Sequence, residues 1–457
     1  MRRLRGLKSL VHDAIDKTVD LVGEGHESTA RNVMRVTDHV PDIAEDARRI
    51  NAWREVGTRG VLGAIKASNR LVQKATDVAL DVAEKVAAPS GVMREEPVPM
   101  RSDAMSREGL KASWVKDAAI AAVNAAVGDH LHSQGNGLAL AMEMRVSDRY
   151  VMPDETDWKG VRRIAVYVHG LGTTEWSWCL ESAAYHGDAA MNFGVMLERD
   201  LGIRPVFIRY NTGQHVSQNG RQLAILLETL ARSAPDLEEL ILIGHSMGGL
   251  VVRSACHYGQ TQEALWVQKT QRVFCLGSPH RGAPLEKFGN VVTGVLGAID
   301  LPGTLIVARI LEGRSAGIKD LRHGALVDED WLGKDPDALL DEGRALVPLL
   351  PHIRYHFVSA TITQDPTHPL GQLIGDILVR EGSAQGPKVE PESRTFAIET
   401  ARFGGVLHHQ LQNHPGVYEV IRNACTPADV AAEGIGLSEA ADSEARDTSQ
   451  GTRPTRQ

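Results

Sequence analysis

Residues 240–250 read Leu240-Ile241-Leu242-Ile243-Gly244-His245-Ser246-Met247-Gly248-Gly249-Leu250. Four consecutive aliphatic residues predict a strand buried on both faces, and the run after Ser246 predicts a helix. Between them stands G-x-S-x-G, a strand-to-helix turn so tight that only small residues fit two positions either side of the serine. Gly244 and Gly248 are therefore steric requirements, and Ser246 is predicted to stand exposed on a strained corner. The helix opening at Met247 would aim its free N–H groups and its positive dipole end at a developing oxyanion. A glycine-rich turn with an incidental serine is the alternative, and this strand and helix context argues against it.

Upstream, Val166-Tyr167-Val168-His169-Gly170-Leu171-Gly172 is an apolar strand ending in His-Gly-x-Gly. Flanking glycines clear space for a backbone N–H to approach a substrate carbonyl, so the amides of Leu171 and Met247 are the expected pair of oxyanion donors. His169 lies inside that loop, ahead of the serine, where a structural role is expected. Further strands are predicted at Leu138–Val146, Ile164–His169, Pro205–Tyr210, Leu240–Ile243, Arg272–Leu276, Tyr355–Ala360 and Arg394–Glu399. Helices such as Trp114–Leu131, Gln218–Ala231 and Gly249–Tyr258 alternate with them. Buried strands alternating with helices predict an α/β fold, a mostly parallel sheet with helices on both faces.

With VHGLG at 168–172, GHSMGGLV at 244–251 and LGSPHRGAPLEKFGN at 276–290, the chain resembles the α/β-hydrolase superfamily, and within it the lipase/esterase and PGAP1-like branch. The resemblance covers about residues 135–425 and leaves out the first hundred. It implies a serine nucleophile, an acid and a histidine in that chain order. Leu373-Ile374-Gly375-Asp376-Ile377-Leu378-Val379 is similar to the family's acid segment, which implies Asp376; Asp365, in Thr363-Gln364-Asp365-Pro366, is the competing choice, although Asp-Pro is also an ordinary turn initiator. Residues 406–418, VLHHQLQNHPGVY, resemble the family's base-bearing run. Aligning Leu411 and Pro415 implies His408, with His409 as competitor. Gln412 departs from the pattern, where a leucine is expected. His280 is expected on a loop or pocket wall, and His414 in a structural place.

The resemblance further implies a catalytic domain over 101–425 with a helical lid or cap at about 286–350. The apolar stretch Val291–Ile310 with Gly294, Gly297 and Gly303 suits a lid over an acyl-chain groove; two core-packed helices are the alternative. The implied activity is hydrolysis of carboxylic esters of lipid-like substrates through Ser246, Asp376 and His408, with no metal or organic cofactor. An acyltransferase or thioesterase using the same triad, and a non-catalytic lipid-surface binding protein, are the competing readings.

The whole chain of 457 residues carries 42% hydrophobic and 24% charged residues, which excludes collagen-like, low-complexity and disulfide-scaffold classes. Its net charge of -8, from 50 basic and 58 acidic residues, makes nucleic acid a poor partner. Cys179, Cys256, Cys275 and Cys425 show no CxxC or zinc-type spacing, so a reducing, cytoplasmic setting is expected. No apolar run suffices to span a bilayer, and the start lacks a secretory pattern. Two amphipathic helices, about Leu4–Val22 and Val61–Ala88, make residues 1–100 a helical region ending in a Pro-containing linker. They are expected to pack on the main domain or, given Arg2 to Lys8, to touch a lipid surface. The tail, 426–457, has the composition of a disordered segment. Nothing in the sequence specifies an oligomer.

Overall fold

The apolar runs of the sequence send alternate side chains to opposite faces, because successive residues of a strand point opposite ways. Ile164, Val166, Val168, Leu240 and Leu242 enter one buried cluster; Ala165, Tyr167, Ile241, Ile243 and Phe274 enter another. A strand buried on both sides has no polar face to alternate with, which is why these runs read as continuous hydrophobic stretches.

The computed structural model describes residue 9 and residues 108–188, 190–283, 315–334, 344–361, 363–365 and 398–427. The expected N-terminal helices, the linker, the stretch Val291–Ile310, Asp376 and the tail beyond 427 lie outside these residues. The chain runs through α1 (Glu108–Ser133), β1 (Glu143–Val146), β2 (Arg149–Val151), β3 (Arg163–Val168), α2 (Ser182–His186), α3 (Phe193–Leu201) and β4 (Arg204–Arg209). It continues through α4 (Val216–Ser233), β5 (Glu239–His245), α5 (Met247–Thr261), α6 (Leu265–Lys269) and β6 (Thr270–Leu276). Last come α7 (Ala316–His323), β7 (Arg354–Thr361), β8 (Ile398–Gly404) and α8 (Pro415–Cys425).

The eight strands form one sheet in the order β2-β1-β4-β3-β5-β6-β7-β8. From β4 to β8 all pairings are parallel, whereas β1 is antiparallel to both β4 and β2. On one face α4 buries Leu223, Leu227 and Leu230, and α5 buries Leu250 and Val251. The opposite face takes Phe193 and Leu197 of α3 with Val417 and Ile421 of α8. This is the α/β-hydrolase fold, with the ends of β3, β5, β7 and β8 opening onto one edge.

Three boundaries differ from expectation. The strand predicted over Leu138–Val146 begins only at Glu143. Before it, Leu140 N donates to Asn124 Oδ1 (2.9 Å) and Asn124 Nδ2 donates to Leu138 O (2.8 Å), so a side chain of α1 takes the backbone groups a strand partner would use. The short β2 was not predicted; it follows a turn in which Ser147 adopts φ 52°, without the glycine that would signal a hairpin. The last strand reaches Gly404 rather than ending at Glu399, because its alternate residues Ala401 and Phe403 pack against the α3/α8 face. Residues 315–334, within the stretch expected as a lid, pack on the start of α4: Asp320 accepts from Val216 N at 2.7 Å, and the Trp331 ring stacks on His215 at 3.7 Å.

Candidate active site

Ser246 joins β5 to α5 with φ 54° and ψ -123°, a conformation L-residues avoid. Two hydrogen bonds impose it: Ser246 N donates to Leu276 O at 2.8 Å, and Gly249 N donates to Ser246 O at 3.2 Å. The glycines of the pentapeptide serve close approach. A Cβ on Gly248 would come within 3 Å of the backbone of Val168 and His169, and one on Gly244 within 3 Å of the backbone of Gly248 and Gly249. Because the obstacle is backbone, Gly248→Ala is expected to destabilise the fold by about 1–3 kcal/mol, the ordinary cost of overpacking, read as a lower urea midpoint with unchanged slope.

The loop after β3 lies against this corner. A Cβ on Gly170 would stand 3.0 Å from Ser246 Cβ, which places the Gly170–Leu171 peptide beside the serine. Four bonds hold the loop: Tyr210 Oη to His169 O (2.8 Å), Thr173 Oγ1 to Gly170 O (3.0 Å), Gly172 N to Thr212 Oγ1 (3.3 Å) and Thr174 Oγ1 to Asp117 Oδ2 (3.4 Å). His169 stacks on Tyr210 with ring centroids 4.4 Å apart, and burial pushes its pKa down to about 4. It is thus a neutral wall residue, with Nδ1 facing Gly170 O at 2.9 Å.

His408 opens a short 3-10 turn after β8 and is 4% exposed. Its ring lies over Gly277, directly after the residue whose carbonyl holds Ser246: a Cβ on Gly277 would be 3.0 Å from His408 Cε1 and 3.1 Å from its Nδ1. His245, the neighbour of the serine, sits 3.1 Å from His408 O through Nε2, and its ring centroid is 4.8 Å from that of His408. Burial, followed by repulsion from the neighbouring His408 imidazole, holds His245 well below the usual imidazole pKa, so it is neutral and donates from Nε2. His409 points elsewhere: its Nε2 faces Glu181 at 3.4 Å with the side chain 45% exposed.

Gln412, the departure from the family pattern, is buried and donates from Nε2 to Ser177 Oγ at 3.0 Å, while Asn413 Nδ2 donates to Trp178 O and Leu180 O, each at 2.7 Å. These bonds tie the His408 turn to the segment that follows the β3 loop. Where a leucine would supply only packing, the amide supplies a fixed contact. The structure therefore brings Ser246, Gly170, Leu171, Met247 and His408 into one neighbourhood. Asp365 stands just beyond the end of β7, and Asp376 lies outside the described residues. Among the described residues no group of three or more His, Cys, Asp or Glu side chains is arranged to hold a metal ion.

Sequence reasoning missed a buried ion cluster behind the loop. Arg209 Nε donates to Glu175 Oε2 at 2.7 Å and its Nη2 to Glu175 Oε1 at 2.9 Å, while its Nη1 reaches Asp117 Oδ1 at 3.0 Å and its Nη2 also pairs with Asp117 Oδ2. Arg145 Nη1 adds a bond to Glu175 Oε1 at 3.1 Å, and Tyr150 Oη donates to the same oxygen at 2.6 Å. Burial raises the Glu175 carboxyl, but Arg209 and Arg145 overcome this and bring it down to about 2. The available signal was a charged residue inside or ending otherwise apolar strands, Arg145 in β1 and Arg209 in β4.

A family model described as PGAP1-like alpha/beta domain matches residues 208–295, from the end of β4 through and beyond the Ser-Pro-His-Arg-Gly loop at 278–282. No curated protein matches the chain. Among solved structures it is similar to the mature Bacillus licheniformis lipase, with 17% identity, 59% of this chain and 95% of that one covered, and a TM-score of 0.37. It is also similar to a lipase-esterase related protein of Clostridium acetobutylicum, with 15% identity, 62% and 99% covered, and a TM-score of 0.34. A Pyrobaculum calidifontis esterase is 13% identical over 62% of this chain and 80% of its own, with a TM-score of 0.34.

Proposed function

We propose that the protein is a serine hydrolase that cleaves carboxylic esters of lipid-like substrates through an acyl-enzyme. The observation that carries this reading is Ser246 held at φ 54° on its elbow, with the Gly170–Leu171 peptide against its Cβ and the His408 ring over Gly277. A serine hydroxyl is a poor nucleophile near neutral pH, so it requires an imidazole to take its proton. In the proposed reaction His408 accepts the Ser246 proton as Oγ attacks the ester carbonyl. The N–H groups of Leu171 and Met247 hold the oxyanion, and a carboxylate, Asp376 by family resemblance or else Asp365, holds the imidazole in its reactive tautomer. The alcohol leaves with the proton. Water then attacks the acyl-enzyme by the same route and releases the acid. Apolar residues at 291–310, outside the described residues, are the proposed source of an acyl-chain groove.

The test is a p-nitrophenyl ester series from acetate to palmitate, run on wild type, His408→Ala and His409→Ala. Loss of the base is expected to lower kcat by about 10³-fold or more, while removal of the exposed neighbour leaves kcat within about threefold. Preference for long acyl chains supports a lipid-like substrate. An unchanged rate in His408→Ala overturns the assignment of the base, and a folded wild type inactive on every chain length overturns the hydrolase reading.

A further inference from the structure

The residue before the serine in G-x-S-x-G is free of the steric demand that fixes the two glycines, so the elbow itself does not dictate it. Here it is His245, the last residue of β5. Alternation along the strand sends its side chain to the face of Ile241 and Ile243, both buried in the apolar cluster under α3 and α8. An aliphatic residue would pack there without loss. A buried imidazole instead forfeits its hydration unless its N–H is spent on an acceptor.

The acceptor is the candidate base itself. A carbonyl oxygen only accepts, so the 3.1 Å contact between Nε2 and His408 O puts the ring proton of His245 on Nε2. The other ring nitrogen faces the oxyanion loop: a Cβ on Gly170 would stand 3.2 Å from His245 Nδ1. Trp178 meets the imidazole edge-on, with ring centroids 6.4 Å apart. His245 therefore touches every described part of the site. Its backbone carries Ser246, Nδ1 faces the loop that bears the Leu171 amide, and Nε2 holds the carbonyl of His408.

Gln412 and Asn413 fix the far end of the 3-10 turn to Ser177, Trp178 and Leu180. The His245 bond ties the near end, where His408 stands, to the strand that ends at the nucleophile. Because His245 is neutral, it does so without setting a charge against the imidazolium that forms when His408 takes the serine proton.

We propose that His245 is a positioning residue for ester hydrolysis: its Nε2–H fixes the backbone of His408, and its ring spaces the base turn from the Gly170–Leu171 loop, so that the base meets Ser246 Oγ. This inference rests on the serine-hydrolase reading and adds to it a residue that touches no reacting atom. A displacement of about 1 Å in a reacting group costs about 10²-fold in rate, so loss of the anchoring bond should appear in turnover rather than in substrate binding.

Full-length wild type, His245→Leu, His245→Met and His245→Gln are compared by three readouts. These are kcat and KM on the p-nitrophenyl ester that wild type cleaves fastest, the rate of fluorophosphonate labelling at Ser246, and the thermal midpoint. Leucine and methionine keep the volume and remove the donor, whereas glutamine keeps an N–H within reach of the carbonyl. The two apolar variants are expected to fold, to lower kcat about 30- to 100-fold with KM within about twofold, and to slow labelling by a similar factor. His245→Gln is expected to recover kcat to within about fivefold of wild type. Apolar variants that fold and label at the wild-type rate overturn the inference and leave the hydrolase reading standing, while a folded wild type that resists labelling removes both. His245→Gln as slow as His245→Leu at equal melting, a rise in KM at unchanged kcat, or failure of both apolar variants to fold overturns the positioning role.

Discussion

Ser246→Ala is expected to lower kcat/KM on p-nitrophenyl esters by at least about 10⁴-fold while leaving the fold intact. Alanine keeps the Cβ that Gly170 packs against and removes only Oγ, so the bonds from Ser246 N to Leu276 O and from Gly249 N to the residue 246 carbonyl persist. The strained φ of 54° is imposed by those bonds and by the glycines around it, and alanine adopts it at a similar cost. Thermal midpoint and activity should therefore separate: nearly unchanged melting, with turnover reduced to what the remaining amides supply. A fluorophosphonate probe should label wild type at residue 246 and leave the variant unlabelled. Residual turnover above about one part in a hundred, in a homogeneous preparation, would place the nucleophile elsewhere.

The residues of that experiment were legible because their geometry is local. The strand, elbow and helix around Ser246 are written within eleven consecutive residues, and the Gly170–Leu171 loop within seven. Each follows from steric demands between near neighbours. The two candidate bases were not separable on the same grounds, since His408 and His409 are adjacent and differ only in where the 3-10 turn points them. One ring is buried over Gly277, and the other faces Glu181 at 3.4 Å near solvent. That difference is set by Gln412 and Asn413, which anchor the turn to residues more than two hundred positions earlier. Partners so remote leave no periodicity. The same reason hid β2, whose turn uses a serine at positive φ, and the loss of the first half of the strand predicted at 138–146, where one asparagine of α1 captures the backbone.

The ion cluster behind the β3 loop is the furthest from legibility, with Asp117 and Arg209 separated by 92 positions. It also carries the largest expected effect on stability. Glu175→Ala is expected to destabilise the protein by about 3–5 kcal/mol in urea unfolding, because Arg145 and Arg209 would keep their burial and lose the carboxylate that joins them. Glu175→Gln retains the volume and one acceptor but not the charge, and should lie between the two.

The pH dependence has a defined sign. The folded-state pKa of Glu175 is depressed from 4.5 to about 2, so its contribution to stability is present above the ordinary carboxylate range and lost as the pH falls through about 2. The gap between wild type and Glu175→Gln should accordingly be constant above about pH 5 and narrow between there and pH 2. Because Thr174 joins Asp117 and Glu175 follows the loop bearing Leu171, the same variants should lower kcat more than they raise KM. An unfolding midpoint for Glu175→Ala equal to that of wild type would show that the two arginines find other partners. The cluster would then not be what holds the loop beside Ser246.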